Sequence, residues 1–181
     1  MRLQPIDKPK GLLMRFAFWF SRRQFGKVMT PMRVVYPRVP KLLKVSFQIQ
    51  KFEMKGLKLD PELHSLLGAY ISQINGCGFC IDLTRAFAMR ERIGLEKFDA
   101  LGECRSSALF SERERAALAY VEEATRNKRV SDATFDSLRR QFSETEIVEI
   151  TWLNAIHNYY NLLNIPLQIG SDGLCAVPGA G

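Results

Sequence analysis

Four times between residues 60 and 146 this chain spells the start of an α-helix, and that punctuation restricts its fold more than any other feature. Asp60 offers a side-chain cap, and Pro61 fills the first helical position, where its missing N–H is no loss. Leu63, Leu66, Leu67, Tyr70, Ile71 and Ile74 then recur at three- and four-residue steps, which gives the helix one apolar face. Ser111 with Glu114, and Ser143 with Glu146, have the spacing of capping boxes, and Ser131 caps a shorter helix between them. The helix begun at Ser143 is long and ends before Pro166. Residues 11–25 and roughly 40–55 also read as helices, joined by the Pro-bearing TPMRVVYPRVP. A helix from near Gly78 to Ile93, stopped by Gly94, and a short one over about 96–101 complete the set. No run sustains the period-two alternation of a strand, so the expectation is a single all-α domain.

Composition excludes several classes. No apolar run approaches the roughly 18 residues that span a bilayer. The stretch GLLMRFAFWF carries Arg15 in its middle and is followed by no small-residue cleavage site, so a cytoplasmic protein is expected. Four cysteines are too few for a disulfide scaffold in 181 residues. The net charge of +7 is uneven: residues 1–60 hold 14 Lys/Arg against 3 Asp/Glu, and the remainder hold 12 against 16. Such a bias serves a basic arm for nucleic acid, an anionic membrane surface, or a solvated cationic face. No nucleic-acid fold signature accompanies it, so the solvated face is the expectation, without nucleic-acid or membrane partners. The N-terminal LLMRFAFWFSRRQF is apolar around much of its circumference, which suits a core or a subunit interface. An in-plane membrane helix dipping Phe18, Trp19 and Phe20 into lipid is the alternative.

The chemistry concentrates in NGCGFCIDLTRAF, residues 75–87, where Cys77 and Cys80 stand three apart at the start of a helix. A metal, a structural disulfide and a redox couple all use that spacing, and an inert buried pair is the plain alternative. Unpaired N–H groups and the positive end of the helix dipole favour thiolate over thiol there. Dipole reasoning alone ranks Cys77 as the better nucleophile. Cys80 shares its face, so the two sulfurs can close a short disulfide. Zinc wants four ligands, and only His64 and His157 stand beside the one pair, unspaced relative to it, so no metal is expected. Cys104 and Cys175 are isolated and read as incidental.

LLGAYISQINGCGFCIDLTRAFAMRERIG, followed by LFSERERAALAYVEEATR and VSDATFDSLRRQFSETEIVEITWLNAI, resembles the AhpD-like/carboxymuconolactone decarboxylase-like superfamily, in its alkylhydroperoxidase branch. The resemblance covers roughly residues 58–165, an AhpD-like core. Residues 1–57 form a basic N-terminal helical extension of the same domain, and 166–181 a C-terminal tail. It implies an AhpD-like helical bundle with a helix–CxxC–helix core, assembled as a homo-oligomer, a trimer or hexamer. It implies a thiol-dependent alkylhydroperoxidase of peroxiredoxin type, acting without metal, haem or other cofactor on a peroxide or other small electrophile. Cys80 is then the peroxidatic thiol and Cys77 the resolving one, the reverse of the dipole ranking. A dithiol or lipoyl-type reductant reopens the disulfide.

The chain departs from the family pattern. Thr84 stands where the family has a proton-relaying histidine, Ser65 where the peroxidases have a glutamate, and Phe79 where a histidine is sometimes found. Hydroxyls pass hydrogen bonds but are not bases near neutral pH. Glu62, one turn before Ser65, and His157, beside Asn154, Asn158 and Asn161, are the candidate substitutes. His64 points roughly 100° from Ser65 on a helix. Asp82 is expected on the solvated side, and Arg85 could hold a thiolate if it turns inward. A redox-sensing or scaffold oligomer is therefore the alternative to a working peroxidase. A decarboxylase-type activity is third, since that branch typically lacks the CxxC.

Overall fold

Every side-chain cap expected from the sequence is made. In the computed structural model, which describes residues 1–90 and 93–176, Asp60 Oδ1 accepts from the N–H groups of Glu62 and Leu63 at 2.9 and 3.1 Å. Ser111–Glu114 and Ser143–Glu146 close full capping boxes, and the Ser131 hydroxyl accepts from Thr134 N–H. The described residues form nine α-helices and no strand: α1 Leu12–Phe25, α2 Thr30–Val34, α3 Pro40–Gly56, α4 Pro61–Asn75, α5 Gly78–Arg90, α6 Glu96–Asp99, α7 Glu112–Asn127, α8 Asp132–Gln141 and α9 Glu144–Asn164. Single 3-10 turns follow α6 and lie at Leu174–Ala176. The expected end of α5 at Ile93 falls beside residues 91 and 92, which lie outside the described part.

α2 replaces what reads in the sequence as a plain connector. Its cap comes from far along the chain: the Asp172 carboxylate accepts from Thr30 N–H at 2.7 Å and from the Thr30 hydroxyl at 2.6 Å. No local pattern announces a cap supplied across 142 residues.

α4 is the central helix, packed against α5, α7 and α9. Its Leu66, Leu67 and Ile71 are fully buried against Leu118 and Val121 of α7, Ile150 and Leu153 of α9, and Phe98 of α6. Removing this apolar surface from water is the main source of stability. Glu149, buried on α9, accepts from the N–H groups of Lys58 and Leu59 and so fixes the entry to α4. At Gly68 an added Cβ would lie 2.4 Å from the His157 ring, so only glycine lets α4 and α9 approach there.

Two smaller apolar clusters complete the molecule. One joins Met14, Ala17 and Phe18 of α1 to Met32, Tyr36 and Leu43. The opposite face of α1 is open: Leu12 is 82% exposed, Phe16 58% and Trp19 55%. The other cluster holds the cysteine pair.

Candidate active site: a buried cysteine pair at a helix junction

The sequence Asn75-Gly76-Cys77 ends one helix and begins the next. Gly76 takes φ 69°, the left-handed conformation that suits glycine. Its N–H donates to Gln73 C=O, and the N–H of Cys77 donates to Ser72 C=O, the two bonds of a Schellman motif. The carbonyl of Cys77 then accepts from Ile81 N–H, which makes Cys77 the N-cap of α5 and puts Cys80 in its first turn. Both sulfurs thus sit at the positive end of the helix. They form a disulfide with Cα atoms 5.3 Å apart.

The junction is tied to α9 by amides. Asn75 Nδ2 donates to Asn158 Oδ1 at 2.9 Å and to Asn161 Oδ1 at 2.8 Å, and Asn161 Nδ2 donates to the Ser72 hydroxyl. One turn further, Asn164 Nδ2 reaches Cys80 Sγ at 3.4 Å. Asn164 is buried, so its amide is aimed at the sulfur by packing rather than by chance encounter. A donor held there stabilises a thiolate on Cys80.

Cys77 and Cys80 are 1% and 7% exposed, within a cluster with Phe25, Val34, Phe79, Ile169 and Leu174. Much of that cover is the segment after α9. It is clamped at Asp82, whose Oδ2 accepts from the Ser171 hydroxyl and from Gly173 N–H. Asp172 binds α2 and Lys27 in turn. Asp82 is therefore not simply on the solvated side: it is the anchor of the cover. Cys175 belongs to the same cluster, its Sγ 3.5 Å from the Asp82 carbonyl. Burial and the Asp82 carboxylate push its thiol pKa up, so it is held as a thiol. Burial also raises Cys104, which lies beside Tyr70 and Glu122.

The other residues singled out from the sequence fall in different places. The Thr84 hydroxyl donates to the carbonyls of Cys80 and Ile81, at 3.0 Å each. Ser65 is half-buried on α4. Glu62 pairs with Lys97 at 2.8 Å, and Lys97 also holds Glu114 at 2.6 Å. Arg85 turns to Asp99, 2.7 Å away, rather than inward to a sulfur. His157 lies against Gly68 and beside His64, with ring centroids 6.0 Å apart. It is seven residues before Asn164, about 10 Å along the axis of α9. Among the described residues, Glu53, His64 and His157 are the group able to hold a metal ion.

Asn164 escapes a reading that stops at histidines and carboxylates. Its signal is the run Asn154, Asn158, Asn161, Asn164, amides at three- and four-residue steps along one face of a helix.

Comparison with known proteins adds to this geometry. The model of the carboxymuconolactone decarboxylase family matches residues 40–123. The uncharacterised protein YnjA of Escherichia coli K12 is 35% identical over 181 residues, 98% of either chain. Among solved structures, ATU0492 of Agrobacterium tumefaciens, a protein of unknown function suggested to be the antioxidant defence protein AhpD, is 25% identical. It superposes with a TM-score of 0.70, over 75% of this chain and 94% of that one. The debrominase Bmp8 shares the fold at 21% identity, with a TM-score of 0.81 over 95% of this chain and 92% of its own.

Proposed function

Starting from the fact that the chain belongs to the carboxymuconolactone decarboxylase family, in the AhpD-like superfamily, we propose that it is a thiol-dependent peroxidase working through Cys77 and Cys80. The observation that carries this reading is the disulfide at the head of α5 with the Asn164 amide on Cys80 Sγ.

In the reduced protein, the Cys80 thiolate attacks the terminal oxygen of a hydroperoxide. The O–O bond breaks, the sulfur is oxidised by two electrons to sulfenic acid, and the alkoxide leaves and takes a proton from solvent water to become the alcohol. Asn164 holds the thiolate, and the N-terminal dipole of α5 lowers its pKa. The Cys77 thiol then attacks the Cys80 sulfur, its proton leaves with the sulfenic hydroxyl as water, and the disulfide forms. An external dithiol, of lipoyl type in this proposal, takes up the disulfide by exchange and is itself oxidised. No resident cofactor is needed for these steps. The chain is proposed to act as a homo-oligomer, trimer or hexamer, with the open apolar face of α1 as interface material.

A second reading, a redox-responsive oligomer with little turnover, is favoured by the Thr84 hydroxyl bonded to backbone carbonyls and by the cover over the pair. Peroxide added to the reduced chain distinguishes the two. The peroxidase reading expects rapid, stoichiometric Cys77–Cys80 disulfide by mass spectrometry, sulfenic acid trapped on Cys80 in Cys77→Ser, and no reaction in Cys80→Ser. Slow oxidation that leaves catalytic consumption at background would sink it. A halogenated aromatic belongs in the same assay, because Bmp8 is a debrominase.

A further inference from the structure

We propose that Glu53, His64 and His157 form a binding site for one divalent transition-metal ion between α3, α4 and α9, separate from the cysteine pair. Each side chain places a ligating atom within 4.8 Å of the other two. The imidazoles meet at 65° with centroids 6.0 Å apart, so they converge edge to face rather than stack. Gly68 clears the space that the His157 ring occupies.

Glu53 Oε1 and His157 Nε2 are buried and have no hydrogen-bond partner among the described residues. Leaving such atoms unpaired is costly, and a protein interior ordinarily satisfies them. Both unsatisfied atoms belong to the one three-residue group whose ligating atoms converge, and a bound cation would give each a partner. Burial also prepares the ligands. It drives the His157 pKa down to about 3, with help from His64, and lowers His64 as well. Both rings are therefore neutral near pH 7, the form that binds metal. Burial raises Glu53 to about 7, a penalty on the carboxylate that a bound cation would reverse.

Two imidazoles and one carboxylate suit zinc or ferrous iron. They do not suit calcium or magnesium, which want oxygen ligands, or copper(I), which prefers sulfur. At bond lengths of about 2.0–2.2 Å, neighbouring ligand atoms stand roughly 3.3 Å apart, inside the 4.8 Å within which these three lie of one another. Three protein ligands leave a coordination position for water or a small anion. The inference does not rest on the thiol reading, because the cluster lies two turns of α9 from Asn164.

The test uses the full chain, stripped with chelator and titrated with Zn²⁺ by calorimetry, then with Co²⁺ followed by its visible spectrum. The proposal expects one equivalent of Zn²⁺, binding kept in the Cys77→Ser/Cys80→Ser double variant, and a Co²⁺ spectrum without thiolate charge transfer. Glu53→Gln and His64→Gln should each weaken binding by about 100-fold or more, since even outer-shell changes cost 10- to 100-fold. Glu53→Gln is isosteric and His64 is only half-buried, so these two carry the result should His157→Ala fail to fold. No binding by the wild type would overturn the site. So would binding lost with the cysteines, or binding indifferent to both ligand variants.

Discussion

A single amide separates the surroundings of Cys80 from those of Cys77. Both sulfurs lie at the head of α5, but it is Cys80 Sγ that Asn164 Nδ2 meets at 3.4 Å. A hydrogen bond to a charged group contributes about 1.5–3 kcal/mol, and about 1.4 kcal/mol corresponds to one pH unit in a titration. Asn164→Leu should therefore raise the pH midpoint for alkylation of reduced Cys80 by about 1 and slow its reaction with peroxide about tenfold. Cys77 alkylation, measured in the Cys80→Ser background, should hardly move. The dipole ranking drawn from sequence alone, with Cys77 the better nucleophile, takes no account of that amide. The pair itself was legible, since two thiols three apart after Asn-Gly are a local pattern. Asn164 was not, because its distance from Cys80 spans 84 residues and depends on how α9 crosses α5.

Helix ends set the element scale. The N–H and side chain of Ser143 bond the Glu146 carboxylate, and with Arg113 they hold its pKa below the usual 4.5. A depressed carboxylate contributes stability that is present above its unfolded pKa and lost as the pH falls through the folded one. Wild type should thus melt above Glu146→Gln at pH 7, with the gap closing as the pH drops below about 4. Circular dichroism melts across that range would show it; a gap independent of pH would refute the capping account. The segment after α9 is held in another way, by Asp82 accepting from Ser171 and Gly173. Asp82→Asn keeps one acceptor oxygen but loses the charge. The Cys77–Cys80 disulfide in that variant should be reduced by dithiothreitol several-fold faster than in wild type. Equal rates would mean the cover does not limit access.

For the whole molecule, one face of α1 is the outstanding surface. Leu12, Phe16, Trp19 and Phe20 are all exposed beside a buried stripe of Met14, Ala17 and Phe18. Apolar surface of that kind is ordinarily covered by a partner. Trp19→Glu with Phe16→Glu should lower the mass in solution, read by light scattering, towards the 20.7 kDa chain while the helical signal is kept. An unchanged mass would move the interface elsewhere. Among the described residues, no helix is long and apolar enough to cross a membrane.

Local pattern specifies the α-helices other than α2, the side-chain caps at Asp60, Ser111, Ser131 and Ser143, and the cysteine junction. Each of these depends on residues within about five positions of one another, where hydrogen-bond geometry and periodicity are local. Tertiary structure alone decided what converges on them. The cap of α2 comes from Asp172, the amide at Cys80 from α9, and the Glu53–His64–His157 cluster from three separate helices. Which side chains meet across helices depends on crossing angles and on the bareness of a position such as Gly68, and neither leaves a period in the chain.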